Sequence, residues 1–411
     1  MSSKVKKKIL KLKESSTLVI NERSKKLISK GQKVYQFGFG QSPFPVPEKV
    51  VEALKKNAHR KEYLPVQGLP KLRENISKYL SKRTGNNYPK ENILITPGSK
   101  EAMLLIHIAF NGEIIIPAPG WVSYEPQAEI GSNKVHWLET SRENNWFPTA
   151  KQLEKKIKSI KNKNLIFILN SPNNPSGTIC KNLKELADVA KKYNLIILSD
   201  EIYTDLTFCN NYESISQYYP DKTFISGGLS KWCGAGGWRV GFFAVPDQLS
   251  DLLENIKTLA SESYSTVNSP AQFAAVEAYE GDFTEYKNKT ISILRSVGNY
   301  VYKNLKSNKV LINYPQGAFY LMPEFPNKKF KSSTELCKKI LDETGVAMLP
   351  ASDFGFGPKK MLTRLCYIDF DGTEFLKANI NGKLLDDKII EKYAPNVVEG
   401  VKKLSNWAKN L

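Results

Sequence analysis

Between Ser226 and Gly241 the sequence SGGLSKWCGAGGWRVG sets Lys231 in a turn rich in glycine and places Arg239 eight residues later. A lysine is ordinarily a solvated surface cation, and this chain has many. The flanks of Lys231 are different. KTFIS before it has strand character, and Gly234, Gly236 and Gly237 after it let the backbone pass close to a bulky ligand. An ammonium held in such surroundings loses hydration and gives up its proton more readily, which frees a neutral amine to attack an aldehyde. Arg239 adds a planar fork of donors suited to a phosphate. Two further stretches carry candidate chemistry. LIILSDEIYTDL ends an apolar run with Asp200 and Tyr203, and ILITPGSKEAMLLIHIAF reads as strand, tight turn and helix, with Gly98, Ser99 and Lys100 at the turn. Free N–H groups at such a helix start form an anion site.

An aldehyde and a phosphate on one ligand describe pyridoxal 5′-phosphate (PLP). Its ring draws electrons only while the ring nitrogen is protonated, and a buried aspartate enforces that state. Asp200 is the candidate. By residue type alone it reads also as a helix cap.

The elements that must position these groups follow from hydrophobic patterning. Apolar runs at Ile93, Ile114, Leu165, Ile196 and Thr223 alternate with helical stretches such as LKELADVAKKYN, and the candidates fall at the C-terminal ends of the runs. This predicts an α/β fold with a largely parallel sheet wrapped by helices and a ligand crevice along the strand ends. VYQFGFGQSPFPVP begins as a strand, then becomes a link in which Pro43, Pro45 and Pro47 forbid a helix, so the first crossover between domains belongs there. After residue 245 the chain turns helical. LINYPQGAFYLMPEFP and the region from VAMLPASDFGFGP to TRLCYIDF supply strands for a smaller domain.

Composition narrows the classes. The 411 residues, 41% of them apolar, make an ample core, and no apolar run reaches the roughly 20 residues needed to cross a bilayer. The start lacks the apolar core of a secretory signal, so a cytoplasmic location is expected. Five widely spaced cysteines fit free thiols, and three histidines (His59, His107, His136) give a metal site or histidine triad little to build from. The net charge of +19 comes mainly from lysines scattered over helices, without the aromatic interleaving of a nucleic-acid platform. Neither a nucleic acid nor a membrane is an expected partner. SSKVKKKILKLK, the most basic run, lacks the arginines of a transit peptide.

Gly228, Leu229, Ser230, Lys231, Gly234, Ala235, Gly237, Arg239, Val240 and Gly241 together resemble the cofactor-attachment signature of the class I/II aminotransferases, fold type I PLP enzymes. Further motifs follow in family order from about Thr17 to beyond Arg364. The resemblance implies a large domain with a mainly parallel sheet of seven strands, over residues 46–295, and a smaller α/β domain with an N-terminal arm, over 1–45 and 296–411. It implies that Lys231 holds the cofactor aldehyde as a Schiff base. Gly98, Ser99, Lys100, Ser230 and Arg239 form the phosphate cup, Trp121 stacks on the ring, and Asn174 of the NPSG element and Tyr203 reach the phenolic oxygen. Tyr63 reaches the phosphate of a partner subunit, so a homodimer is expected. Gly40, Asn174 and Arg364 belong to the substrate, with Arg364 clamping its carboxylate. Gly317 to Tyr320 read as a structural strand motif. The sequence departs from the family's habits at Gly228, where a serine is common, and at Gln41 and Ser42, where an acidic residue and a proline are common.

The implied reaction is ping-pong transfer of an amino group between an amino acid and a 2-oxo acid such as 2-oxoglutarate. The resemblance is strongest to the bacterial-type aspartate/prephenate subgroup, which has a threonine in the arm and a lysine in the cup turn, here Thr17 and Lys100. Aspartate or glutamate is therefore the expected donor, its acidic side chain read by Lys100. Lys100 reads equally as a first-turn helix lysine. A transaminase for aromatic or neutral amino acids and a PLP β-lyase are the alternatives. A transcription regulator carrying such a domain would need a DNA-binding module in front of Thr17.

Overall fold

The computed structural model describes residues 4–5, 7–10, 12, 16–209, 212–327, 329–378 and 384–411. Its centre is a seven-stranded sheet. The strands are β1 (Ile93–Thr96), β2 (Glu113–Ala118), β3 (Val135–Glu139), β4 (Leu165–Asn170), β5 (Ile196–Asp200), β6 (Thr223–Gly228) and β7 (Gly241–Ala244). They lie in the order β1-β7-β6-β5-β4-β2-β3, and only β7 runs against the rest. The expected mainly parallel sheet is present. Its central strands are buried on both faces, which is why they read as unbroken apolar runs rather than alternating ones.

Register brings the candidate residues to one edge. Asn170 pairs with Asp200, and Asp200 with Ser226, so β4 and β5 end level and β6 runs two residues further. β7 returns antiparallel with Gly228 opposite Gly241, so the Lys231 loop is the connection between these two strands. The crossovers are amphipathic helices. In Ala150–Ser159, Leu153 and Ile157 are buried four apart while the lysines face outward, and Thr149 and Gln152 close a capping box worth about 1 kcal/mol.

A second sheet of three short antiparallel strands, β8 (Tyr320–Leu321), β9 (Leu349–Pro350) and β10 (Thr363–Cys366), lies in the order β8-β10-β9. The helix Thr284–Leu305 carries the chain toward it, and the helix Pro395–Lys409 packs beside that helix and Ser333–Thr344. The strand expected at VYQF is reduced to a single bridge, Tyr35 to Val346, with Tyr35 N–H donating to Gly345 O. Tyr35 O accepts from Ala347 N–H, but Phe37 O accepts from Cys366 N–H at 2.8 Å, so the segment changes partner instead of extending one ladder. LINYPQGAFYLMPEFP likewise yields the two-residue β8 and single bridges, Leu311 to Glu324, Gly317 to Thr207 and Glu324 to Leu362. Among the described residues no helix is long and apolar enough to cross a membrane.

Candidate active site

Lys231 leaves the end of β6 and points into the cleft between the two sheets. Its Nζ donates to Gly40 O at 2.9 Å and sits 5.5 Å from the Tyr203 ring centre and 5.7 Å from that of Phe319. Burial among these rings pulls the amine down to about 8, and the Arg364 charge pushes the same way. A nucleophilic amine is thus available near neutral pH.

Asp200 ends β5 and is 4% exposed. Tyr124 donates its hydroxyl to one carboxylate oxygen at 2.7 Å and Ser226 donates to the other at 3.0 Å. Burial raises the carboxyl to about 6, while the Tyr124 and Ser226 hydrogen bonds oppose that rise. These hydroxyls, with Ile202 N–H at 3.4 Å and the more distant Lys231 charge, favour the ionised form, and no cation among the described residues makes a direct ion pair with it. The group is poised to receive one.

Asn170, at the end of β4, donates to Asp200 O and accepts from Asn174 N–H, both at 2.8 Å. This fixes the loop that carries Asn174, whose Oδ1 accepts from Arg364 Nη1 at 3.2 Å. Arg364 comes from β10 and is 3% exposed. Its Nη2 donates to Gly38 O, and its guanidinium lies 5.0 Å from the Tyr320 ring centre and 5.4 Å from that of Phe354. A planar cation between aromatic faces presents its fork in one orientation.

At the head of the helix Ser99–Ala109, Gly98 adopts φ +79°, and a Cβ there would stand 2.3 Å from Arg239 Nη2. A Cβ on Gly241 would stand 2.4 Å from Ser99 N. Glycine is needed at both positions because arginine and helix start are pressed together. Arg239 itself sits at φ +57°, its guanidinium donating to Pro97 O at 2.8 Å and Gly236 O at 2.9 Å. Ser230 lies beside Gly236. The Lys100 Nζ hovers 5.2 Å from the ring centre of half-buried Trp121, and burial together with the Arg239 charge lowers its pKa.

The structure therefore brings Lys231, Asp200, Tyr203, Asn174, Arg364 and Gly40 into one cleft, with Gly98, Ser99, Lys100, Arg239 and Trp121 along the strand ends. One candidate stands apart. Tyr63 is 89% exposed on a loop anchored where Ser269 Oγ donates to Glu62 O at 2.6 Å. Thr17 falls in the helix Ser16–Ile28, and its side chain lies outside the described residues. One expected role changes. Gly234 was expected to clear space for a ligand, but at φ +70° it clears space for the chain itself, since a Cβ would meet Phe44 O at 2.5 Å. Three residues emerge only from the structure. Tyr124 and Ser226 hold Asp200, and Tyr320 places its hydroxyl 2.8 Å from that of Tyr203. The spacing of Tyr124, three residues past Trp121 at a helix start, was the one signal available.

Residues 32–373 match the family model for aminotransferase class I and II. The chain is 32% identical over 374 residues to an asparagine–oxo-acid transaminase of Streptococcus mutans, covering 86% of this chain and 92% of that one. It is 32% identical over 370 residues to an aspartate aminotransferase of Geobacillus stearothermophilus, with the same coverage. The crystal structure of an aspartate aminotransferase from Thermotoga maritima superposes with a TM-score of 0.83 at 26% identity, covering 98% of this chain and 100% of that one. The fold is that of the fold type I enzymes, and the chain belongs to the class I and II aminotransferases.

Proposed function

We propose that the protein is a PLP-dependent transaminase that takes aspartate or glutamate as amino donor and a 2-oxo acid such as 2-oxoglutarate as acceptor. The observation that carries this reading is the cleft that joins a depressed lysine amine, a buried carboxylate held by hydroxyls and an arginine pressed onto a helix start. These fit PLP part by part: Lys231 for its aldehyde, Asp200 for its ring nitrogen, and Gly98, Ser99 and Arg239 for its phosphate. Ser230 stands beside this cup, Trp121 is the ring-stacking candidate, and Tyr203 and Asn174 serve the phenolic oxygen. When bound, PLP supplies a carbon that condenses with amines and a ring that takes up the electron pair left as the Cα proton departs.

The chain's own groups do the rest. Arg364, with Asn174 and the Gly40 segment, grips the substrate carboxylate and so fixes the direction of the Cα–H bond. Lys231 Nζ, near its midpoint at neutral pH, accepts that proton and returns it elsewhere on the bound pair. Asp200 keeps a proton on the nitrogen it faces. Lys100 sits beside Trp121 and is the group that meets an acidic side chain, a reading supported by relatives whose names carry aspartate as substrate. A probable aspartate/prephenate aminotransferase of Rhizobium leguminosarum is 30% identical over 372 residues.

The exposed Tyr63 suits a residue that completes a partner's phosphate site, so the working unit is a homodimer. The large domain spans 46–295, and 1–45 joins 296–411 in the smaller one, as the bridge from Tyr35 to Val346 supports. The cytoplasm is the proposed location. The test is single-turnover absorbance of PLP-loaded protein against a panel of amino acids. Fast loss of the bound-aldehyde band with aspartate and glutamate, and slow loss with alanine and phenylalanine, is expected. Loss led by neutral or aromatic donors would remove the acidic-substrate reading. Ammonia release without a 2-oxo acid would turn the reading toward a β-lyase.

A further inference from the structure

Tyr320 lies on β8, in the smaller sheet, yet its hydroxyl is buried in the cleft beside Gly40. It is 1% exposed, and Tyr203 is 3% exposed. Their hydroxyl oxygens are 2.8 Å apart, with the rings edge to face at 83°. The contact is held from every side. The Arg364 guanidinium lies 5.0 Å from the Tyr320 ring centre, and Tyr320 pairs with Cys366 in the strand register. A Cβ on Gly177 would meet Tyr320 O at 2.0 Å, and one on Gly40 would meet the Tyr320 hydroxyl at 2.2 Å. Gly40 is the residue whose carbonyl accepts from Lys231.

We propose that Tyr320 is a positioning residue that directs the Tyr203 proton toward the cofactor's phenolic oxygen. The inference rests on the assignment of PLP to this cleft. Each tyrosine hydroxyl carries one proton and two lone pairs, so in a bonded pair only one of them donates to the other. If Tyr203 donates outward to the cofactor, Tyr320 must donate to Tyr203. Accepting that bond makes Tyr203 a stronger donor, because hydrogen bonds in a buried chain polarise one another. Tyr320 then stabilises the deprotonated state of the bound chromophore without touching it. Burial holds the Tyr320 hydroxyl well above the usual phenol range, so its proton stays in place across the working pH. Among the charged and titratable groups facing the pair, Lys231, Arg364 and Asp200 reach Tyr203, and Arg364 and Cys366 reach Tyr320.

The experiment is a pH titration of visible absorbance in PLP-loaded protein, for the parent, Tyr320→Phe, Tyr203→Phe and the double variant. Losing a direct donor to an anionic oxygen moves such a midpoint up by about one to two pH units, and losing a cooperative link by about a fifth of that. Tyr320→Phe is therefore expected to raise the midpoint by about 0.3 pH units. In the Tyr203→Phe background it should add nothing, since Tyr320 acts only through Tyr203. A midpoint unchanged in Tyr320→Phe, or a shift that survives without the Tyr203 hydroxyl, overturns the proposal. A purely packing role would change thermal stability and leave the midpoint alone. If Tyr203→Phe itself leaves the midpoint in place, the Tyr203 assignment falls and the proposal with it. Absence of any lysine-dependent absorbance would instead sink the PLP reading. Gly40→Ala, which pushes the Tyr320 hydroxyl aside without removing it, gives the same upward shift should Tyr320→Phe fold poorly.

Discussion

Lys231→Met should stabilise the cofactor-free protein at neutral pH, although it deletes the residue on which the chemistry turns. Folding holds the Lys231 amine at about 8, against 10.5 for a free lysine. The folded chain therefore binds fewer protons there than the unfolded chain, and its stability suffers while the unfolded lysine is charged. That cost is full below pH 8, about 3 kcal/mol, shrinks as pH rises from 8 to 10.5, and vanishes above. Methionine keeps an unbranched stem and carries no charge, but Gly40 O loses its donor at 2.9 Å, which takes back about 1 kcal/mol. The expected net gain is about 2 kcal/mol at pH 7 and about 1 at pH 9, turning to a loss of about 1 above pH 10.5. Urea unfolding of both cofactor-free proteins at these three pH values measures it. A difference that does not change with pH would show that burial does not depress the amine. A second consequence can be read on the parent alone. At pH 7 an amine with its midpoint at 8 is about 300 times more often neutral than one at 10.5, so amine labelling should favour Lys231 over lysines with the ordinary midpoint.

Three other perturbations separate the remaining roles. Asp200→Asn keeps an acceptor for one of the Tyr124 and Ser226 hydroxyls, turns an N–H donor toward the other, and removes a charge. At about 4 Å and an effective dielectric near 20 that charge is worth about 4 kcal/mol to a protonated ring nitrogen, so single-turnover rates should fall by about a thousandfold. A fall below tenfold would refute the assignment. Arg364→Lys keeps the charge and loses the fork, and kcat/KM should drop by about 10- to 100-fold for every amino acid alike. Lys100→Ala should lower the preference for aspartate over alanine by about 10-fold or more while sparing alanine turnover, and an unchanged ratio would reduce Lys100 to a first-turn helix lysine.

What could be read in advance was whatever one stretch of chain declares. Lys231 between its glycines, Asp200 at the end of an apolar run, and Gly98 at a strand-to-helix turn each carry a local reason for their residue type. The buried strands are equally plain because both faces are apolar. The second sheet was harder, since β8 and β9 are two residues each and depend on bridges between distant segments rather than on periodicity. The strand expected at VYQF failed for the same reason: its apolar pattern marks burial of Tyr35 and Phe37, not a ladder.

Tyr320 shows where local reading stops. GAFY looks like a strand filling a core, and by burial it is one. Its hydroxyl matters only because β8 delivers it to Tyr203, 117 positions earlier in the chain, and because Gly40 leaves room for it. Tyr124 and Ser226 are alike in this, with a role that appears only once the fold sets Asp200 between them. Groups that bind a ligand carry their chemistry in their type, whereas groups that aim them carry it in position. The second kind can be found from sequence only by asking, for each buried carboxylate or phenol already assigned, which distant hydroxyl must satisfy it. Asp200 and Tyr203 pose that question, since a buried polar atom without a partner costs about 1–3 kcal/mol.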